Sequence, residues 1–592
     1  MVESAIAWDK CQNRILQKVY YVAMIYFILL WTILIIVAYP IGLLVINQLS
    51  VDSFGRWGDR FIASSWLGIV ILAAFLLAIS LILPLSPLVG GGVAGILVVV
   101  SLVSSRTQAE ITQLRTRLSS KILSGIAILG LIVALLTTDQ VTWIESGFYH
   151  YGSIRWLSEF GTVPGIVLVL PNFGIISTWF ALNAPLNGSI IDFKAGVIAN
   201  GFIFFLALLH TIVCLFHLLT SHKKLSDYFA ISFYSLFFLY TALSLEMQLI
   251  VVSPSPDLPT ILLTAIIAWA ILVTVESRTA SSEKLDGSIV PLLLAAGAVT
   301  IKLSALPLLL VTCIFYCFQV KFQIKQLLFG LCLTSLLLLP IVLVGFQTSG
   351  CPLYPSPLFC VDVPWSQSIE DTQKFADRTQ NPAKWIANAP PNQNSPFWVF
   401  GKWLQARALN QIMAALVVIS LFCLIYLIQI KAIFRRNSGI FWLSALGVSG
   451  ILFIIFKGPL IRFGLGYLLL LPALSMAVYA DRKNLLAENG ESIWRNILGK
   501  WDQIQAITLG ILATVMVISF GYGQLSSRWL LPPKVAYISV IPKQVNDIKY
   551  VTPENGACWA SPLPCTAKKW VLQAKLRHPS LGIKGGFVRG GG

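Results

Sequence analysis

The sequence predicts an all-α integral membrane protein, a polytopic helix bundle of about 13–14 spans with extracytoplasmic loops and a short C-terminal cap. Three observations carry this reading. The 592-residue chain is 57% hydrophobic and only 11% charged, with a mean hydropathy of +0.80. Many apolar runs reach about 17 residues or more, enough for a helix to cross a hydrocarbon core of about 30 Å. The basic residues gather in short loops between those runs.

In chain order the candidate spans are 22–47, 63–84, 88–104, 122–138, 197–220, 228–252, 259–277, 287–303, 304–320, 326–346, 409–430, 439–457, 461–480 and 505–521. Helices are expected because lipid cannot satisfy exposed amides, and the runs are too long for barrel strands. The first run, 21–49, is too long for a cleavable signal peptide. Orientation follows from Lys and Arg. Arg106, Arg115, Arg117 and Lys121 mark one loop, and Lys223 with Lys224 the next on that side. Arg278 and Lys284, Lys321 and Lys325, Lys431 with Arg435 and Arg436, and Arg482, Lys483, Arg495 and Lys500 complete the set. All fall on one side, read as cytoplasmic. The formal charge of +17 therefore belongs to the positive-inside pattern, and nucleic-acid binding is not expected. Lys10, Arg14 and Lys18 place the N-terminus inside, at odds with four spans before Asp139; the Gly-rich 88–104 run is the weakest of the four.

The chain divides into N-terminal spans (1–138), an outer loop (139–196), central spans (197–346), a Pro-rich outer loop (347–408), C-terminal spans (409–521) and an outer tail (522–592). A loop of about fifty residues such as 139–196 is uncommon unless it carries function. Its first half is amphipathic at helical spacing. Tyr149, Trp156, Leu157 and Phe160 share one face, with His150, Arg155, Ser158 and Glu159 on the others. That pattern suits a helix lying in the membrane interface.

Of ten cysteines, Cys214, Cys313, Cys317, Cys332 and Cys423 lie within spans, where a small buried thiol is the plain reading, and Cys11 lies near the N-terminus. Cys351, Cys360, Cys558 and Cys565 fall on the oxidising side and read as two disulfides, in any of three pairings. No His lies within either close pair, which disfavours zinc there.

Ionisable residues at membrane depth are costly and mark function by default. Glu145 opens the outer loop, and its alternative is a solvated loop acid. Asp257, in SPSPDLPT, begins a span, where the helix dipole alone would favour a carboxylate. Lys302, in AVTIKLSALP, and Arg462, in KGPLIRFGLGY, stand at span ends, where snorkelling or interfacial anchoring would also place them. Together they equip one membrane face with a general base and with cations able to hold a phosphate. His210, Cys214 and His217 share a face at i, i+4 and i+7; packing between helices is the plain reading, a metal or haem site the other. There is no GxSxG, P-loop or GxGxxG motif.

The stretch Glu145 to Tyr149, with its long outer loop, resembles the first outer loop of GT-C glycosyltransferases of the protein-mannosyltransferase-like type, which place an acid four residues before a Tyr. Asp257 and Lys302 look like later elements of that pattern. More narrowly, the chain is similar to a bacterial family of large GT-C-type membrane proteins. The likeness rests on Tyr149-His150, Trp156, Val163-Pro164-Gly165, Ser177 to Phe180, Gly350 to Phe359, Arg462 to Leu468, Cys558 to Cys565 and Gly586-Phe587. Two positions depart: Glu145 replaces the commoner Asp, and PNFGIIST lacks an Asn before Ser177.

The resemblance implies a transferase of the bacterial inner membrane, acting at the extracytoplasmic face. It would move a sugar from a polyprenyl-phosphate carrier to a cell-envelope acceptor. Glu145 would be the base with Asp257 in support, Lys302 and Arg462 would hold the donor phosphate, and Tyr149, His150 and Trp179 would contact the acceptor. No cofactor is implied, and a divalent metal is not indicated. The rivals are an envelope polysaccharide polymerase or ligase, a flippase of lipid-linked saccharides, and a non-catalytic scaffold. A flippase would predict mid-bilayer charges and inverted repeats, and no repeat is visible.

Overall fold

The structure, a computed structural model, describes residues 24–137, 140–186, 198–220, 223–277, 287–380, 396–432, 439–483, 538–554 and 556–590. The expected span 505–521, Cys11 and several of the basic loop residues lie outside the described residues.

The fold is overwhelmingly helical. The N-terminal part contains α1 (Met24–Gln48), α2 (Trp57–Ile79), α3 (Pro87–Val103), α4 (Ser105–Arg117) and α5 (Ser120–Thr137). The segment after α5 holds a π-helix, Ser146–His150, then α6 (Tyr151–Glu159) and α7 (Thr178–Asn183). Next come α8 (Ile198–Leu219), α9 (Leu225–Leu243), α10 (Leu245–Val251), α11 (Asp257–Glu276), α12 (Ile289–Ile301), α13 (Leu306–Gln319) and α14 (Ile324–Ser349). α15 (Ile369–Gln380) and α16 (Pro396–Ala406) lead into α17 (Ala408–Gln429), α18 (Gly439–Lys457) and α19 (Ile461–Arg482).

Among the described residues, nine helices are long and apolar enough to cross a membrane, or up to eleven if each of two bent pairs is one span. One expected span, 505–521, lies outside the described residues, and the rest of the difference from the sequence expectation has physical causes. α12 and α13 have 13 and 14 residues, about 20 Å each, and fall short of a full crossing. α3 turns by 97° into α4 at Ser104, and α9 turns by 106° into α10 at Ser244. At both breaks the serine has extended backbone, and its hydroxyl accepts an N–H from the next helix's first turn. A run that reads as one continuous apolar segment, 228–252, is thus two helices at a right angle.

α11 lies at the centre. Residues 257–274 are all buried, as expected for a helix apolar on every side. It packs on α9, α12, α18 and α19. Outward-facing Leu331 and Leu336 on α14 and Phe422 on α17 are more than half exposed, an apolar surface that suits lipid.

The tail departs from the all-α expectation. It forms two antiparallel hairpins, β1 (Val540–Val545) with β2 (Ile548–Pro553) and β3 (Ala574–Leu576) with β4 (Phe587–Arg589), with a one-turn helix α20 (Lys568–Val571) between them. A second apolar core joins this cap to the loops: Trp156, Val163 and Phe173 meet Tyr354 and, from the tail, Tyr550 and Phe587. Phe587 N–H donates to Pro164 (2.9 Å), and Thr566 Oγ1 donates to the Val169 carbonyl (2.7 Å). A Cβ on Gly165, whose φ is +69°, would stand 2.2 Å from the Phe587 carbonyl oxygen.

The cap and the bundle cover much of the segment expected as an interfacial helix: Tyr151 and Ile154 of α6 pack into the bundle core and Trp156 into the cap core. His150 and Ser158, assigned to polar faces, are buried. Arg155 pairs with Glu159 and donates to the carbonyls of Ala560 and Ser561. The amphipathic pattern is real, but the surface covering it comes from the far end of the chain.

The two disulfides join neighbours, Cys351–Cys360 and Cys558–Cys565. Peptide mapping without reduction should therefore recover these two linkages; a crossed pairing or four free thiols in oxidised membranes would contradict the fold. Each closes a loop of roughly ten residues and should contribute about 2–3 kcal/mol in the chain-entropy model.

Candidate functional site

Four charged residues far apart in sequence meet at one end of the bundle. Glu145 immediately precedes the π-helix. Asp257 opens α11, and the Ser255 hydroxyl donates to its Oδ2 (3.0 Å). Lys302 ends α12 in extended conformation, because the short helix stops there and the chain turns. Arg462 sits in the first turn of α19.

The Arg462 guanidinium links the two acids. Its Nη2 donates to Glu145 Oε1, and Nη1 stands 3.8 Å from Asp257 Oδ2. Lys302 Nζ donates to Asp257 Oδ1. Lys302 lies 3.9 Å from the centre of the Phe463 ring, and Arg462 lies 4.9 Å from Phe463 and 5.1 Å from Trp143. These rings hold the cations by cation–π attraction. Asp257 is 1% exposed and is bound by Lys302 and Ser255, with Arg462 close by. Glu145 is 28% exposed. The accessible acid is therefore Glu145, and the buried one serves as the anchor of the cations.

Tyr149 and His150 belong to the same neighbourhood. Their ring centres are 4.4 Å apart, and both rings approach Phe180. The Ser146 hydroxyl is 3.2 Å from His150 Nδ1, while the buried Nε2 has no hydrogen-bond partner. Burial holds the His150 pKa down to about 3; Lys302 and Arg462 push the same way, and Asp257 opposes them. The imidazole is accordingly neutral near pH 7. Burial also raises the Tyr149 hydroxyl well above its ordinary range, with Glu145 and Asp257 adding to the effect. Trp179 behaves differently: fully buried, its indole donates to Asn200 Oδ1 (2.7 Å). Asn200 in turn donates to the carbonyls of Ile250 and Ser255. Trp179 is therefore part of the wall that positions the Ser255–Asp257 turn, rather than a surface offered to an acceptor.

One acid was missed by sequence reasoning. Glu246, in the first turn of α10, interacts electrostatically with Arg462, Asp257, Arg407 and Glu145. Its signal was a carboxylate inside an apparently continuous apolar run, which bends at Ser244, and it lies within electrostatic reach of the cluster.

His150 gives a test with a defined sign. Its folded pKa, about 3, lies below the ordinary value of 6.5. The stability it permits is complete above about pH 6.5 and is lost as pH falls toward 3, because the unfolded chain takes up the proton first. Relative to His150→Gln, the wild type should lose up to about 1.4 kcal/mol per pH unit across that window. Parallel unfolding curves at pH 7 and pH 4.5 check this; an unchanged difference between the proteins would exclude a buried neutral imidazole.

Comparison with curated proteins and with solved structures finds no match. A family model described as a domain of unknown function (DUF8201) matches residues 24–469. The match spans most of the chain, takes in Glu145, Glu246, Asp257, Lys302 and Arg462, and stops before the C-terminal cap. By this match the chain belongs to the DUF8201 family.

Proposed function

We propose that this protein is a GT-C-type membrane glycosyltransferase of the bacterial inner membrane. It transfers a sugar from a polyprenyl-phosphate-linked donor to a cell-envelope acceptor at the extracytoplasmic face. The observation that carries the reading is the convergence of Glu145, Asp257, Lys302 and Arg462, from four separate elements, at one end of the bundle. A substrate with its tail in lipid and its phosphate at the surface meets cations and a carboxylate together there. The likeness of the Glu145–Tyr149 loop to the GT-C pattern supports the same reading.

The chemistry is an inverting displacement. Glu145 takes the proton of the acceptor hydroxyl as its oxygen bonds to the anomeric carbon. The bond from that carbon to the phosphate oxygen breaks, and its electron pair leaves with the polyprenyl phosphate. Arg462 and Lys302 stabilise the charge that develops on the leaving phosphate. Asp257 holds both cations in place. In the free protein Arg462 is paired with Glu145, so donor phosphate draws the guanidinium away and frees the carboxylate to act as base.

Purified protein in lipid with radiolabelled polyprenyl-phosphate sugars tests this. Glu145→Gln should lower turnover by about 10²- to 10⁴-fold while changing donor affinity much less. Arg462→Ala should weaken donor binding by about 1–3 kcal/mol. Normal transfer by the Gln variant would remove Glu145 as the base. Failure of the wild type to bind any such donor would overturn the transferase reading.

A further inference from the structure

The far end of the bundle carries a second group of buried charges. Its remoteness follows from α11, which runs about 30 Å from Asp257 to Glu276. Glu276 accepts hydrogen bonds from the N–H and hydroxyl of Ser226, next to Asp227. Asp227 lies in the first turn of α9, Asp59 in the first turn of α2, and His217 in the last turn of α8. We propose that Asp59, His217 and Asp227 bind one divalent transition-metal ion of the zinc class, joining three helices at this end.

The donor atoms are already gathered. One ligand atom from each residue lies within 4.8 Å of the other two. His217 Nδ1 stands 3.2 Å from Asp227 Oδ1 and 3.8 Å from Asp59 Oδ1. Donors around a tetrahedral zinc at about 2.0–2.2 Å stand about 3.3–3.6 Å apart, so small shifts suffice. The side chains are 1%, 5% and 0% exposed for Asp59, His217 and Asp227. Asp59 Oδ1, facing the imidazole, has no hydrogen-bond partner. A carboxylate oxygen left bare at this depth is expensive unless something cationic meets it.

Arg56 organises the set without filling it. Its Nε donates to the other Asp59 oxygen (2.6 Å), and its Nη atoms donate to both Asp227 oxygens (2.7 and 2.9 Å). The guanidinium thus orients both carboxylates, as outer partners of metal ligands do. Two carboxylates against one guanidinium leave one net negative charge for a cation. Cys214 is buried one turn before His217 but is not among the gathered donors. An imidazole with two carboxylates suits zinc or its neighbours rather than Mg²⁺ or Ca²⁺. His210, the third member of the sequence pattern, takes no part: it meets Tyr234 (3.1 Å) and the Trp269 ring.

The test uses the full chain in detergent, stripped with chelator and titrated with ZnCl₂. One zinc per chain should survive desalting, with a rise in Tm on addition. His217→Gln and Asp59→Asn should each lose that equivalent, while His210→Gln keeps it. No stoichiometric zinc on the wild type, or full occupancy in His217→Gln, would overturn the site. If the ligand variants do not fold, Co²⁺ added to the stripped wild type decides. Intense visible bands of a low-symmetry protein site support it, and the spectrum of the free aqua ion overturns it.

Discussion

The guanidinium of Arg462 is the contact on which the Glu145–Asp257 end of the bundle depends. It is 8% exposed and lies between Glu145, 28% exposed, and Asp257, 1% exposed. An unpaired charge at that depth would cost several kcal/mol. The first turn of α19, the entry to the π-helix and the start of α11 must therefore close on one another. Lys302 is drawn in by the same anion, since Asp257 accepts from it. The tight cluster is thus a consequence of buried charge as much as of any chemistry it performs.

The cap bears on the same elements. Trp559 N–H donates to the Gly147 carbonyl (2.8 Å), and a Cβ on Gly147 would stand 2.5 Å from the Trp559 ring. Gly147 lies in the π-helix between Glu145 and His150. π-Helical turns are rare and cluster at functional positions. Here the widened turn lets the tail lie close, and Cys558–Cys565 closes the loop that carries Trp559. Motifs that are separate in sequence become partners: Val163-Pro164-Gly165 meets Gly586-Phe587, and the Gly147 turn meets Trp559. The two ends of the bundle divide the buried charge differently. The outer group is partly open and balanced by lysine and arginine. The inner group, Asp59, Asp227 and His217 around Arg56, is closed and keeps one bare oxygen.

What could be read from the sequence alone was whatever depends on local length and pattern. Apolar runs the width of a bilayer predict spanning helices, and the long helices α1, α2, α5, α8, α11, α14 and α17–α19 follow them. Cysteines close together on one side predict disulfides. Glu145, Asp257, Lys302 and Arg462 were visible because a charge beside an apolar run is conspicuous. Tertiary structure decided the rest. It bent the runs at Ser104 and Ser244, since a serine hydroxyl can cap a new helix at little cost where hydropathy registers no break. It buried α6 under a cap, because an amphipathic face does not specify whether lipid or protein will cover it. It made Trp179 a wall residue and gathered Asp59, His217 and Asp227 from three helices. Some of these contacts are as near as 10 residues and others as far as 171, as between Arg56 and Asp227, and all are set by which buried polar atoms can satisfy one another. No window along the chain contains that information.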